Sequence, residues 1–114
     1  MAVAGINLVL PQGADFEQTF SLFNDGGQYL GITSYTVTSK LRKYYGSTSG
    51  ITTFTTSIVD PTLGLIKLSL NETQTSSLTP GRYYYDILIT SPSPFNITTK
   101  VVEGMILVEG TASL

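Results

Sequence analysis

Hydrophobic and polar residues alternate with a period of two along much of this chain. In the stretch LIKLSL, for example, Ile66, Leu68 and Leu70 are separated by Lys67 and Ser69. Successive side chains of a β-strand point to opposite faces, so this period is typical of a strand buried on one face. The pattern predicts about seven strands, within residues 6–10, 16–22, 35–44, 51–58, 65–70, 83–90 and 97–108.

Turn sequences separate these stretches at intervals of roughly 8–12 residues, which is the signature of an antiparallel sandwich or barrel. They include NDGGQ at 24–28, DPTLG at 60–64 and SPSP at 91–94. The chain has 114 residues and no internal repeat or linker. We therefore expect a single all-β domain over residues 1–114.

Two features interrupt the alternation. In NETQTSSL, at 71–78, Asn71 can cap a helix and Gln74 stands at the capping-box position, so we predict one helical turn near 72–77. In the last stretch, Gly104 follows Glu103 inside a strand. A glycine there often marks a β-bulge, so we predict a bulge that turns Glu103 outward.

Three consecutive tyrosines follow a Pro-Gly turn in the stretch LTPGRYYYDILIT. On a strand, Tyr83 and Tyr85 share a face with Ile87, so we predict that both rings pack in the core. One of them is expected to form a tyrosine corner, in which the hydroxyl bonds to the backbone of the preceding connection. Tyr84 shares the opposite face with Asp86, and we predict that it is exposed on a surface that meets a partner.

Tyr44 and Tyr45 form a second aromatic cluster, beside the loop GSTSG at 46–50. Exposed aromatic residues next to a loop are typical anchors for a protein partner or for a sugar ring. The alternative is that the pair caps the core at the end of a strand. Tyr44, Tyr45 and Tyr84 are thus the candidate partner-contact residues.

The composition restricts the chemistry. The chain contains neither histidine nor cysteine, so histidine-based catalysis, histidine zinc sites and disulfides are excluded. Asp15 and Glu17 suggest no catalytic cleft, and Asp25, followed by two glycines, favours a plain turn over a calcium loop. We expect no enzymatic activity, no cofactor and no metal.

Charge and hydropathy also narrow the partners. The net charge is −2, and Lys40, Arg42 and Lys43 form the only basic cluster, so we do not expect nucleic-acid binding. The apolar run near the N-terminus has no preceding basic residues and stops at Pro11. This pattern predicts neither a signal peptide nor a membrane span, and we expect synthesis in the cytoplasm.

Three motifs, taken in order, resemble the immunoglobulin-like β-sandwich modules of tailed-phage virions, in particular the N-terminal domains of upper-baseplate and tail-fibre proteins. The opening motif I-x-L-x-x-x-x-G-A-x-F spans 6–16, the block from G-x-I-x-L-x-L to G-R-Y-x-Y-D-I-x-I-T spans 64–90, and V-x-E-G-x-I-x-V spans 101–108. One element differs: these modules usually carry D-L-T-G-Y, where this chain has GITSY at 31–35.

The resemblance implies an immunoglobulin-like antiparallel β-sandwich and a non-enzymatic structural role in the virion. The expected partners are other phage virion proteins, contacted by a tail- or baseplate-associated adaptor in several symmetry-related copies. Because the sequence ends soon after its last strand, no attached receptor-binding head is expected. Two alternatives remain: a capsid decoration protein of the phage head, and a carbohydrate-binding module that stacks sugars on Tyr44, Tyr45 and Tyr84.

Overall fold

The computed structural model describes residues 4–24, 26–44 and 52–111, which form two β-sheets and one short helix. The strand bounds are β1 (Ala4–Gly5), β2 (Leu8–Pro11), β3 (Phe16–Ser21), β4 (Thr36–Arg42), β5 (Thr52–Thr53), β6 (Thr55–Asp60), β7 (Leu65–Leu70), β8 (Gly81–Thr90) and β9 (Thr98–Glu109). The helix α1 (Glu72–Ser76) lies between β7 and β8.

The larger sheet has the order β1-β9-β8-β4-β5, with β2 also paired to β9, and the smaller sheet has the order β3-β7-β6. All pairs are antiparallel except those of β1 and β2 with β9, which are parallel. The prediction of a β-sandwich with one short helical turn is confirmed. The expectation that every strand pair is antiparallel is corrected at this one edge.

The stretch predicted as one strand over 51–58 is in fact two strands in different sheets. β5 pairs with β4 in the larger sheet, and β6 pairs with β7 in the smaller one. Phe54 lies at the crossing and is buried, while the side chains of Thr53 and Thr55 on either side are exposed. The alternation of faces was therefore predicted correctly, but periodicity carries no information about which partner a strand chooses.

The core is formed by the inner faces of both sheets, and four aromatic rings join them. The ring of Tyr85 lies 6.4 Å from the ring of Phe20 and 6.4 Å from that of Phe54. Phe54 also contacts Phe16, at 6.2 Å between centroids. Buried aromatic pairs add about 0.5–1.5 kcal/mol to the effect of their buried area. This cluster therefore stabilises the junction between the sheets.

Helix α1 begins as the sequence predicts. The side chain of Asn71 accepts a hydrogen bond from the backbone N–H of Gln74 at 2.8 Å. The side chain of Gln74 accepts one in return from the backbone N–H of Asn71 at 2.9 Å. This reciprocal capping box satisfies two backbone donors that a helix start leaves without partners.

The predicted bulge at Glu103 is wrong in position. Glu103 and Gly104 pair regularly with Asp86 and Tyr85, and the register instead shifts around Val101. Gly104 serves a different purpose: a Cβ atom built on it would meet the carbonyl oxygen of Ile6. Glycine is required here because the backbone of Ile6, between β1 and β2, runs alongside β9 in close contact, not because the strand bulges.

The strand directions place the connections at two opposite ends of the sandwich. The connections of residues 22–35, 61–64 and 91–97 lie at one end, which we call the loop end. Residues 12–15 and helix α1 lie at the other, which we call the helix end. The described part of the molecule measures 45 × 26 × 23 Å, so it is elongated.

The connection that departs from the phage modules lies at the loop end. Ser34 adopts φ 64°, in the left-handed region, at the position where those modules carry glycine. The preceding Ile32 is fully buried, and its carbonyl accepts a hydrogen bond from the N–H of Tyr35 at 3.1 Å. The turn therefore forms without its usual glycine, with a serine in a conformation that costs most residues energy.

Candidate docking surfaces

The three consecutive tyrosines divide between the core and the surface as their parity predicts. Tyr83 and Tyr85 are buried, with 6% and 1% of their surface exposed. Their hydroxyls both donate to backbone carbonyls, that of Thr79 at 2.8 Å and that of Ile6 at 2.7 Å. The first of these bonds is the predicted tyrosine corner, formed by Tyr83.

Tyr84 lies on the outer face of the larger sheet and is half-buried, not fully exposed as expected. It stands opposite Arg42 of β4 on one side and Met105 of β9 on the other. These neighbours cover part of the ring, because residues directly opposite each other on one face of a sheet are close enough to pack. Tyr84 also lines a groove of about 290 Å³ between β4 and β8.

A second row of side chains runs beside Tyr84 across the same face. Arg82 stands opposite Leu107, which stands opposite Val9 on β2. Val9 and Leu107 are large exposed hydrophobic residues, and Arg82 is exposed as well. We call the two rows together the basic sheet face, which consists of Val9, Arg42, Arg82, Tyr84, Met105 and Leu107.

The basic sheet face combines positive charge with apolar surface. Its two rows contain two arginines and no carboxylate, and acids stand in the rows on both sides, Asp86 and Glu103 on one side and Glu109 on the other. Lys43 does not add to this face, because its ammonium lies 4.7 Å from the centre of the ring of Tyr83, which is buried in the core. Tyrosine and arginine are the residues most often responsible for affinity in protein interfaces, so this face is suited to docking.

The other two candidate tyrosines lie next to this face in sequence. Tyr44 is 65% exposed and follows two residues after Arg42, beyond the end of β4. It does not cap the core, since most of its surface is open to solvent. Tyr45 and the loop 46–50 lie outside the described residues.

A second surface, which the sequence interpretation missed, occupies the loop end. Among the described residues, nine large hydrophobic side chains are exposed, and six of them lie at or beside this end. They are Phe23, Tyr29, Val59, Leu63, Phe95 and Ile97, and we call them the apolar tip. Such a concentration of exposed apolar side chains is unusual unless they meet a partner.

The apolar tip is presented by an ordered framework. The rings of Phe23 and Tyr29 stack at 5.3 Å across a hairpin. The side chain of Asn24 accepts hydrogen bonds from the backbone N–H groups of Gly26 at 2.9 Å and Gln28 at 3.1 Å. The exposed aromatic pair is therefore held by its own turn and does not depend on a partner for its position.

Two further loops complete this surface. Val59 is the extra residue where the register between β6 and β7 shifts, and it is exposed. Phe95 and Ile97 are 74% and 61% exposed, and the N–H of Ile97 donates to the hydroxyl of Ser91 at 2.8 Å. A recess of about 240 Å³, lined in part by Leu30 and Ile97, lies where the first and last of the three loops meet.

Asp60 is the one carboxylate among the described residues of the loop end. The side chain of Asp60 accepts hydrogen bonds from the hydroxyl of Thr62 at 2.7 Å and from its backbone N–H at 3.0 Å. The hydroxyl and then the N–H stabilise the charged form, so the pKa of Asp60 lies below its ordinary value.

The described residues offer no assembled metal site. Nowhere in 4–24, 26–44 and 52–111 do three or more carboxylates group so that they could hold an ion. Asp15 accepts a hydrogen bond from the backbone N–H of Glu72 at 2.9 Å, and Glu17 lies 3.7 Å from Lys67. Asp25 is not among the described residues. The same ranges contain no helix that is long and apolar enough to cross a membrane.

Comparison with known proteins identifies no relative. No protein family matches the chain, and no curated protein does. Among solved structures, an internalin-like protein of Listeria monocytogenes matches with a TM-score of 0.42 and 16% identity, over 96% of this chain and 28% of that one. A family 123 glycoside hydrolase of Clostridium perfringens matches with a TM-score of 0.44 and 10% identity, over 97% and 24%.

This chain thus spans about a quarter of the length of either protein. Likeness at this level supports no inference about activity or partners. The features that bear on function are therefore the two surfaces and the sequence motifs.

Proposed function

We propose that this chain is a non-enzymatic docking module of a tailed-phage virion, associated with the tail or baseplate. Its role is to bind neighbouring virion proteins and hold them in place. The observation that carries the proposal is the basic sheet face, in which Tyr84 stands opposite Arg42 and next to Arg82, with exposed apolar side chains beside them.

The sequence motifs shared with phage modules support the same assignment. Several of their residues build the frame: Gln74 closes the capping box, Tyr83 forms the tyrosine corner and Gly104 leaves room for the backbone of Ile6 beside β9. Gly64, with φ 63°, leaves no room for a side chain between two backbone carbonyls. Residues with such specific requirements are informative about architecture. The docking partner is selected instead by exposed residues, several of which, such as Tyr84 and Leu107, stand at positions that the motifs leave variable.

The proposal is tested on phage particles produced by a strain that carries the gene. Antibodies against the purified chain, coupled to gold, are expected to label the tail tip of purified particles in electron micrographs. Labelling of the heads would favour a capsid decoration protein. Absence of the chain from purified particles, measured by mass spectrometry, would overturn the virion assignment.

A variant tests the basic sheet face directly. Tyr84→Ala should still fold, with a stability loss of about 1 kcal/mol, because the ring is only half-buried. Its incorporation into particles should fall about tenfold or more, since tyrosine is a frequent hot-spot residue. The control is Thr55→Ala on the outer face of the smaller sheet, which should incorporate normally. Equal incorporation of both variants would remove this face from the docking contact.

A further inference from the structure

We infer that copies of this chain associate head to tail, with the apolar tip of one copy seated on the basic sheet face of the next. The inference deepens the proposed function by naming one partner, a second copy of the same chain. It depends on the two surfaces alone and can be tested without phage particles.

The apolar tip carries little charge. The described residues of the segments 22–35, 59–64 and 91–97 include no lysine or arginine, and their one carboxylate is that of Asp60. This end of the molecule is therefore apolar with weakly negative character. A surface of this kind is complementary to one that combines apolar and positively charged side chains.

The basic sheet face is such a surface on the same molecule. Its exposed hydrophobic residues, Val9 and Leu107, lie beside the exposed Arg82. Together with Tyr44, these two residues complete the set of large exposed hydrophobics among the described residues that do not belong to the apolar tip. The exposed apolar side chains thus fall into two groups, one without cations and one with them.

Pairing like surfaces would be less favourable than pairing unlike ones. Two basic sheet faces brought together by a two-fold axis would place Arg42 and Arg82 of one copy close to those of the other. Two apolar tips would bury apolar surface, but Asp60 of one copy would meet only Asp60 of the other and no cation. Contact between the apolar tip and the basic sheet face buries apolar surface on both sides and places opposite charges near each other.

The positions of the two surfaces determine the kind of assembly. The apolar tip lies at the loop end, whereas Arg82 and Tyr84 belong to the half of β8 next to the helix end. Because the contact joins different surfaces, each copy keeps one surface open after pairing. Such a heterologous contact closes into a ring or continues as a filament, and it does not stop at a dimer.

The experiment uses two variants of the purified chain and sedimentation velocity over a range of concentrations. The tip variant carries Phe95→Ser and Ile97→Ser, and the face variant carries Arg82→Glu and Leu107→Ser. All four positions are exposed, and thermal melting checks that both variants fold. The control Thr55→Glu introduces a carboxylate on the outer face of the smaller sheet and should assemble like the unmodified chain.

The unmodified chain should form species larger than a dimer as concentration rises. Each variant alone should associate at least about tenfold more weakly, because each has lost one half of the contact. The decisive sample is the equimolar mixture. There the intact face of the tip variant can bind the intact tip of the face variant, so the mixture should form a heterodimer and nothing larger.

Three results would overturn the inference. One is an unmodified chain that stays monomeric at every concentration. Another is a variant that assembles like the unmodified chain, which would indicate a two-fold contact through the other surface. The third is a mixture that remains monomeric. None of these results bears on whether the chain is present in virions, so failure here is distinguishable from failure of the proposed function.

Discussion

The two ends of this sandwich are built by different means. At the helix end, polar side chains are buried and bonded: the hydroxyl of Thr75 donates to the carbonyl of Ala14 at 2.8 Å, and that of Tyr83 donates to Thr79 at 2.8 Å. Thr75 is fully buried. At the loop end, large apolar side chains such as Phe95 remain in solvent.

The difference separates two roles within one small domain. A buried hydroxyl is costly unless it is bonded, so the bonds at the helix end fix one conformation there. Exposed apolar side chains contribute little to folding, because they are no better shielded from water in the folded state. The helix end is therefore built for stability, and the loop end presents surface for a contact.

The largest expected effect comes from removing one aromatic ring at each end. Tyr83→Ala should lower the free energy of unfolding by about 3–5 kcal/mol, because the ring is almost completely buried. Phe95→Ala at the loop end should change it by less than about 0.5 kcal/mol. Urea denaturation of both variants measures the difference, and comparable losses would show that the two ends do not differ as described.

A smaller substitution distinguishes the contribution of the Tyr83 hydroxyl to stability from that of its ring. Tyr83→Phe should cost about 1 kcal/mol, because it leaves the Thr79 carbonyl without its donor while the packing stays intact. The matched control is Tyr29→Phe in the stacked pair at the loop end, where the exposed ring keeps its contact with Phe23. If Tyr83→Phe has the same urea midpoint of unfolding as the unmodified chain, the hydroxyl of the tyrosine corner contributes no stability.

The helix end was largely predictable from the sequence, because its signals are local. The capping box needs only Asn71 and Gln74 at a spacing of three, and the burial of Tyr83 follows from its parity with Ile87 on one strand. The stretch over 51–58 was predicted with the right faces but the wrong continuity. Whether a strand stays in one sheet depends on partners that are distant in sequence.

The loop end was not predictable because its signals are distributed. Leu63 lies in a predicted turn, Phe23 and Phe95 lie next to two others, and the three share one end only because three connections meet there. The bulge predicted at Gly104 was wrong for a related reason, since the backbone of Ile6 that this glycine accommodates is remote in sequence. A local signal was nevertheless available: a large aromatic residue directly after SPSP has no strand face in which to be buried.

A third prediction concerns the left-handed residue at the loop end. Ser34→Gly should raise the free energy of unfolding by about 0.5 kcal/mol, because relief of a left-handed conformation, roughly 1–2 kcal/mol, exceeds the added entropy of unfolded glycine, roughly 0.5–1 kcal/mol. Thr33→Gly is the control, since Thr33 has no positive φ and should lose stability. A loss at both positions would mean that the serine side chain itself supports this turn.

The smallest expected effect is on the pKa of Asp60, whose side chain accepts hydrogen bonds from Thr62 at the loop end. The hydrogen bonds from Thr62 hold the pKa of Asp60 below its ordinary value, so the charged form is favoured in the folded state. The resulting stability is present above the unfolded-state pKa and is lost as the pH falls through the folded-state pKa.

Thr62→Ala removes the hydroxyl donor but keeps the backbone N–H, so the pKa of Asp60 should rise part of the way back to its ordinary value. Titration of the Asp60 carboxyl carbon by NMR measures it, with Thr55→Ala as a control that should leave the pKa in place. An unchanged pKa in Thr62→Ala would show that the hydroxyl does not stabilise the carboxylate, and the loop end would then lack even this polar support.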